Sequence, residues 1–322
     1  MLIRSGFLTI QPMDPDFIPL QRFWQPRFWP GWLVVAFLRL IVMLPQPVRM
    51  ACGRGLGRLA GKLLDSRREI AITNLRICFP ELSETEIAKL TRKHFESLGM
   101  GVVEVGMAWW CSDRELAKLI TVAGIEHVQA ALDEGKGVLM LSAHFAITEL
   151  SGRATQPFLP PMAAMYRPSD NPMNDQIMRR CRARSTEKLV TKTGIRTLLK
   201  LLKNNYPFWY AADQAFEGKS AELIKFFDEP AMTNTAISQI ARVSGAQVIP
   251  LLPSRLENGK AYEVKFLPAL NNFPSGDSAA DALRINQLLE EHIRKIPEQY
   301  YWVHRRFKGR PDNYPNPYKL VP

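Results

Sequence analysis

The chain has 322 residues, 46% of them hydrophobic, 23% charged and 10% aromatic. The apolar share is enough for a packed core and excludes a disordered or collagen-like chain, and the length allows one large domain or two small ones. Forty-two Lys and Arg against 31 Asp and Glu leave a net charge of +11, which calls for an anionic partner: nucleic acid, a membrane surface or a phosphorylated substrate.

Cys52, Cys78, Cys111 and Cys181 are far apart and form no C-x-x-C pair. Neither a zinc site nor a disulfide framework is suggested, and four reduced thiols in a reducing cytosol are expected. Residues 1–25 lack the compact apolar core and small-residue cleavage site of a secretory signal, so no cleavable leader is expected.

Residues 28–44 form a nearly polar-free run of 17 residues ending at Pro45. As a helix it would be about 25 Å long, slightly short of a bilayer core. Trp24, Trp29 and Trp32 crowd one end, as in an interfacial belt, and Arg39 lies near the other, where its stem can reach the interface. A membrane-associated helix over about 28–44 is expected, spanning the bilayer or lying in its surface; a buried core helix is the alternative. Arg49, Arg54, Arg58, Lys62, Arg67 and Arg68 follow, against Asp65 alone. That asymmetry puts the body of the protein on the cytosolic side, near anionic headgroups.

Helical spacing continues over 48–64 and 67–79, closed by Pro80. Ser83-Glu84-Thr85-Glu86 reads as a capping box opening a long amphipathic helix toward Trp110. A short helix over 124–134 precedes a buried strand over 137–143. Further strands are predicted over 162–166, 207–212, 247–252 and 261–267, and helices over 172–184, 194–203, 234–244 and 279–296. Strands separated by helices predict an α/β fold: a mainly parallel central sheet flanked by helices, with an N-terminal membrane-associated helix and helical layer. The expected division is an N-terminal segment (1–45) and one further domain (46–322). The latter comprises a helical layer (46–122), an α/β body (123–310) and an irregular, Pro-rich tail ending at Pro322.

His144 directly follows the first strand of the body, and Glu149 comes five residues later. α/β sheets bind ligands at the carboxyl ends of their strands. A carboxylate on one imidazole nitrogen fixes the tautomer and leaves the other nitrogen as a base. Such a pair is the base-plus-orienter half of a triad, for which a substrate hydroxyl supplies the nucleophile. The spacing alone is weak, since five histidines among 31 acids in 322 residues give about 0.5 chance matches.

A series of motifs extends over roughly 24–312. It begins with Pro26-Arg27-Phe28-Trp29, the stretch from Asn74 to Pro80, Phe95 to Gly101, and Gly106 to Trp109. His144-Phe145 with Glu149, Tyr166-Arg167-Pro168 with Asn171-Pro172, and Ala212-Asp213-Gln214 follow. Glu298-Gln299-Tyr300, Trp302 to Lys308 and Arg310-Pro311 complete the series. Together these motifs resemble those of the lipid A late acyltransferases, lauroyl/myristoyl-type enzymes of the lysophospholipid acyltransferase superfamily.

The resemblance implies an acyltransferase domain over 46–322, acting at the cytosolic face of the bacterial inner membrane. It would carry a fatty acyl chain (lauroyl-type) from acyl carrier protein to a hydroxyl on an acyl chain of the Kdo-lipid IVA precursor. His144 would be the general base, oriented and charge-stabilised by Glu149. Arg167 or Arg182 would stabilise the thioester oxyanion or clamp a phosphate. Asp213 would hold a substrate hydroxyl, brace Arg167, or cap the next turn. Arg305 and Arg306 fit either a phosphate site or a structural role. No cofactor, metal or nucleotide loop is expected; Gly53-x-Gly55-x-Gly57 reads as close helix packing. A glycerophospholipid acyltransferase and a non-enzymatic basic membrane-binding protein are the competing readings. No nucleic-acid motif is present, and nucleic acid is not an expected partner.

Overall fold

The computed structural model describes residues 17–191 and 193–318. The stretch 1–16, on which most of the leader expectation falls, and the end of the tail at Pro322 lie outside the described residues.

Two short 3-10 turns, Leu20–Phe23 and Pro26–Phe28, lead into α1 (Trp29–Val42), α2 (Gln46–Leu63), α3 (Asp65–Cys78), α4 (Glu84–Trp110) and the short α5 (Asp113–Leu116). Pro30 sits in the first turn of α1, where a missing N–H costs nothing. Pro45 ends the segment and caps α2. At 14 residues α1 is about 21 Å long, and no helix among the described residues is long and apolar enough to cross a membrane. The expectation of a spanning N-terminal helix is therefore corrected. Leu38, Ile41 and Val42 are buried, and a Cβ on Gly106 of α4 would lie 2.8 Å from Val42 and 2.9 Å from Leu38. The opposite face of α1 stays open, with Leu33, Val34, Phe37 and Leu40 all more than half exposed.

The capping box forms as expected: the Ser83 hydroxyl accepts from the Glu86 amide while the Glu86 carboxylate accepts from the Ser83 amide. The α2 and α4 backbones touch. A Cβ on Gly57 would lie 2.0 Å from the Phe95 carbonyl, and one on Gly99 2.2 Å from the Gly53 carbonyl.

The body follows as β1 (Ile120–Ala123), α6 (Ile125–Asp133), β2 (Val138–Ser142), α7 (Thr148–Thr155), β3 (Ala163–Tyr166), α8 (Pro172–Arg182), β4 (Lys188–Thr191), α9 (Ile195–Lys203) and β5 (Pro207–Ala211). It continues with β6 (Ala221–Phe226), β7 (Glu229–Asn234), α10 (Ala236–Ser244), β8 (Gln247–Leu256), β9 (Ala261–Phe266) and α11 (Ser278–Lys295). Seven strands make one sheet in the order β1-β9-β8-β2-β5-β3-β4. All neighbours are parallel except the β8–β9 hairpin, so the mainly parallel α/β expectation is met.

β2 is central and wholly buried. Leu139 and Leu141 face a core shared with α3, α9, α10 and α11, while Val138 and Met140 face a second one shared with α6. Covering both faces removes the polar–apolar alternation of a surface strand, which is why this segment reads as a continuous apolar run.

β1, β4 and the separate β6–β7 hairpin were not among the predicted strands. The hairpin turns at Phe227-Asp228, both at positive φ (52° and 64°), so the Asn-Gly or Asp-Gly signal of such a turn is missing.

Candidate active site

Parallel strands bring their carboxyl ends to one edge, and this places His144 beside Asp213. The chain leaves β2 through Ala143-His144, while β5, hydrogen-bonded alongside with Ser142 opposite Ala211, leaves through Ala212-Asp213. The His144 Nδ1 lies 2.8 Å from Asp213 Oδ1, and the His144 backbone N–H donates to Oδ2 at 3.1 Å. Asp213 is 2% exposed. The carboxylate accepts at Nδ1, so Nδ1 carries the ring hydrogen and Nε2 keeps the lone pair. Nε2 has no hydrogen-bond partner among the described residues, and the side chain is 37% exposed. A nitrogen base thus opens at the sheet edge.

Charge balance reinforces the pairing. Burial opposes the imidazolium, but the charge and hydrogen bond of Asp213 together outweigh it, and His144 is raised above its ordinary value. Burial likewise opposes ionised Asp213; the charge and hydrogen bonds of His144 prevail and hold it down to about 2.

Glu149 does not orient His144. It lies in the first turn of α7, and Arg182 at the end of α8 claims it, with Nε 2.8 and 3.1 Å from its two oxygens and a further contact through Nη2. The expected dyad is corrected. A neighbouring strand delivers Asp213 to Nδ1, whereas the start of α7 turns Glu149 toward α8. Arg182 is engaged in that ion pair through Nε and Nη2, and no contact of it with His144 or Asp213 is present among the described residues.

Arg167 stands 81% exposed at the end of β3, with Asp170 at 3.8 Å; Asp213 does not brace it. Arg305 stacks over the Tyr318 ring at 5.9 Å. Arg306 is 2% exposed and donates to the Met232 carbonyl and the Thr233 hydroxyl at 2.9 and 2.8 Å. Of the two roles open to Arg306, that burial favours the structural one.

A second layer holds the His144 loop. The Ala146 amide donates to the Gln299 carbonyl at 2.9 Å, the Tyr301 amide to the His144 carbonyl at 3.0 Å, and Phe145 bridges Tyr300. Gln299 exchanges two bonds with the Arg255 backbone, at 2.7 and 2.9 Å. The Arg255 guanidinium in turn pairs with buried Glu104 on α4. Trp209 and Tyr301 flank the imidazole, with ring centroids 6.5 and 6.4 Å from it. Gln299 and Tyr301 went unassigned from the sequence, and His304, which has no acid five places on, reads there as structural. Their only signal was membership of a dense aromatic and basic C-terminal motif, because their partners, among them Arg255, Ala215 and His144, lie on distant segments of the chain. Among the described residues no group of acidic, His and Cys side chains could hold a metal.

A proton-accepting imidazole backed by a buried carboxylate, at an open sheet edge, can take a proton from a hydroxyl as it attacks an acyl carbon. Residues 19–309 match the family model described as bacterial lipid A biosynthesis acyltransferase. The chain is 38% identical to the lipid A biosynthesis lauroyltransferase of Escherichia coli (strain K12), over 91% of this chain and 96% of that protein. It is 34% identical to the palmitoleoyltransferase of the same organism, over 90% and 95%. A solved 1-acyl-sn-glycerophosphate acyltransferase from Thermotoga maritima matches 76% of this chain and 99% of its own, at 13% identity and a TM-score of 0.36.

Proposed function

Because the chain belongs to the bacterial lipid A biosynthesis acyltransferase family, and is thus an acyltransferase, we propose that it moves a lauroyl-type acyl chain from acyl carrier protein to a hydroxyl on an acyl chain of the Kdo-lipid IVA precursor. The reaction would take place at the cytosolic face of the inner membrane. The observation that carries this reading is the 2.8 Å His144–Asp213 pair with Nε2 left open.

The acceptor hydroxyl gives its proton to His144 Nε2 as its oxygen bonds to the thioester carbonyl carbon. Asp213 stabilises the imidazolium that forms. The tetrahedral intermediate then expels the thiolate, which takes the proton back from His144, and the site is restored. No metal or redox step is needed to balance this.

Three features support the partners. The net charge of +11 suits a phosphorylated lipid and an acidic carrier protein. The open faces of α1 and α2 carry Leu33, Val34, Phe37, Leu40, Val48, Leu59 and Leu63. Arg54, Arg58 and Lys62 interleave them on α2, the pattern of a helix pair lying in a membrane surface. The lauroyl-type donor rests on the relative of that name.

Mass spectrometry of product formed from purified protein, Kdo-lipid IVA and mixed acyl carrier protein thioesters tests the proposal. One added acyl chain is the expected result. No acylated lipid with any donor would overturn it, as would product formed only on a glycerophosphate acceptor.

A further inference from the structure

We infer that His304 is a second catalytic imidazole of this site, donating its Nδ1–H to the oxyanion that forms on the acyl carbonyl. The inference rests on the acyl-transfer reading above, and it concerns a residue whose polarity is opposite to that of His144.

The tautomer of His304 follows from its neighbours. The Ala215 amide points at His304 Nε2, 3.3 Å away. A backbone amide can only donate, so Nε2 holds a lone pair and the ring is neutral with its hydrogen on Nδ1. Burial, the largest influence, lowers the ring to about 4, which keeps it neutral at the pH where His144 works.

The ring is also held in place. Asn74 of α3 donates to the Trp302 and His304 carbonyls at 2.6 and 2.8 Å. Ala215, its partner, lies two residues beyond Asp213, the carboxylate that holds His144. The backbone ties His304 to the His144 loop as well: the Tyr301 amide donates to the His144 carbonyl at 3.0 Å, and the His304 amide to the Tyr301 carbonyl at 3.4 Å.

The Nδ1–H has no hydrogen-bond partner among the described residues, yet it is not sealed in the core. His94 Nε2 is buried without a partner, whereas neither nitrogen of His304 is among such atoms. A protein does not normally leave a fixed donor idle. The two imidazoles therefore present complementary atoms: a lone pair at His144 Nε2 and a hydrogen at His304 Nδ1.

Addition to a thioester needs both. The acceptor oxygen bonds to the carbonyl carbon and its proton passes to His144. The carbonyl π pair moves onto oxygen, where the His304 N–H meets it. A neutral donor of fixed tautomer stabilises that charge with little reorganisation. Collapse then breaks the carbon–sulfur bond, and the thiolate receives the proton from His144.

Two substitutions separate this role from mere support of the Ala215 loop. An asparagine amide nitrogen reaches the place of Nδ1, whereas a glutamine amide oxygen reaches that of Nε2. His304→Gln thus keeps the acceptor for Ala215 and loses the donor; His304→Asn does the reverse. With acyl thioester and lipid acceptor, His304→Gln is expected to lose about 10²–10³-fold in kcat with KM within about threefold. His304→Asn is expected to keep at least about a tenth of kcat, on the same scale, with the acid limb of its pH profile unmoved.

The opposite ranking, wild-type rates in both variants, or losses confined to KM would overturn the inference. If His304→Gln does not fold, ring-nitrogen NMR of wild-type protein labelled with 15N-histidine decides: an Nδ1-protonated neutral ring is expected, and an imidazolium or Nε2-protonated ring at neutral pH overturns it. Failure of the acyl-transfer reading itself is distinguishable, because the wild type would then form no acylated lipid.

Discussion

Arg182 takes up Glu149, the acid five residues after His144, with Nε 2.8 Å from Oε1. One ion pair thus ties the helix that follows the candidate base, α7, to the end of α8. With side chains 25% and 19% exposed, the pair is shielded enough to matter and open enough to stay hydrated. Glu149→Gln leaves Arg182 without its counterion and is expected to cost about 1–2 kcal/mol of stability, between the ranges for surface and buried pairs. A double-mutant cycle with Arg182→Met, read by denaturant unfolding, checks this. The double variant should recover part of the loss, and simple additivity would refute the coupling.

Asp213 carries the larger effect on rate. Asp213→Asn keeps the shape but removes the charge that stabilises the imidazolium and fixes the tautomer. A fall in kcat of about 10³–10⁴-fold is expected, by analogy with other buried carboxylate–imidazole pairs. Glu149→Gln should fall by far less. Steady-state kinetics on the two single variants rank the residues.

The pH dependence has a definite sign. His144 must be neutral to accept a proton, and Asp213 raises it. Activity should therefore climb with pH through a value above the ordinary 6.5 of His144 and then level off. In Asp213→Asn only burial remains, which lowers His144, so the limb should move to lower pH even as the plateau drops.

Stability follows the same pair. The raised His144 contributes stability that is complete below its unfolded value near 6.5 and is lost as pH rises through the folded value. Asp213, held down to about 2 from 3.8, contributes stability present above 3.8 that is lost as pH falls toward 2. The difference in melting temperature between wild type and Asp213→Asn should be greatest between those limits.

The open face of α1 predicts a binding phenotype separable from chemistry. Leu33, Phe37 and Leu40 are 70%, 53% and 63% exposed. Replacing all three with serine should leave the melting temperature nearly unchanged. At about 1 kcal/mol or more per side chain removed from lipid contact, co-sedimentation with anionic vesicles should weaken by about 10²-fold. Unchanged vesicle binding would show that α1 does not meet the membrane.

Close helix packing gives the reverse pattern, a stability loss without a binding change. Gly57→Ala would drive a methyl to 2.0 Å from the Phe95 carbonyl. The α2–α4 contact must open, at a cost of about 1–3 kcal/mol, measurable as a drop in the denaturant midpoint.

The amino-acid sequence by itself determined those features that arise within a short stretch of chain. The capping box at Ser83, the wholly apolar β2, the alternation of helices and strands, and His144 at a strand end all depend on neighbours within a few residues. The apolar 28–44 run was legible too, but not its fate. Its hydropathy is the same whether both faces meet lipid or one face meets Gly106, and only the packing of α1 on α4 chose. β6 and β7 escaped because their turn uses Phe227-Asp228 in place of glycine.

The identity of the partner on His144 was decided by tertiary structure alone. Glu149 is near in sequence, but the first turn of α7 aims it at Arg182. Asp213 is 69 residues away, yet parallel pairing of β2 with β5 sets Ser142 against Ala211 and so brings the two strand ends together. A hydrogen bond depends on distance and angle in space. Spacing along the chain reports those only where the backbone between two residues is one regular element, and between His144 and Glu149 it is a turn.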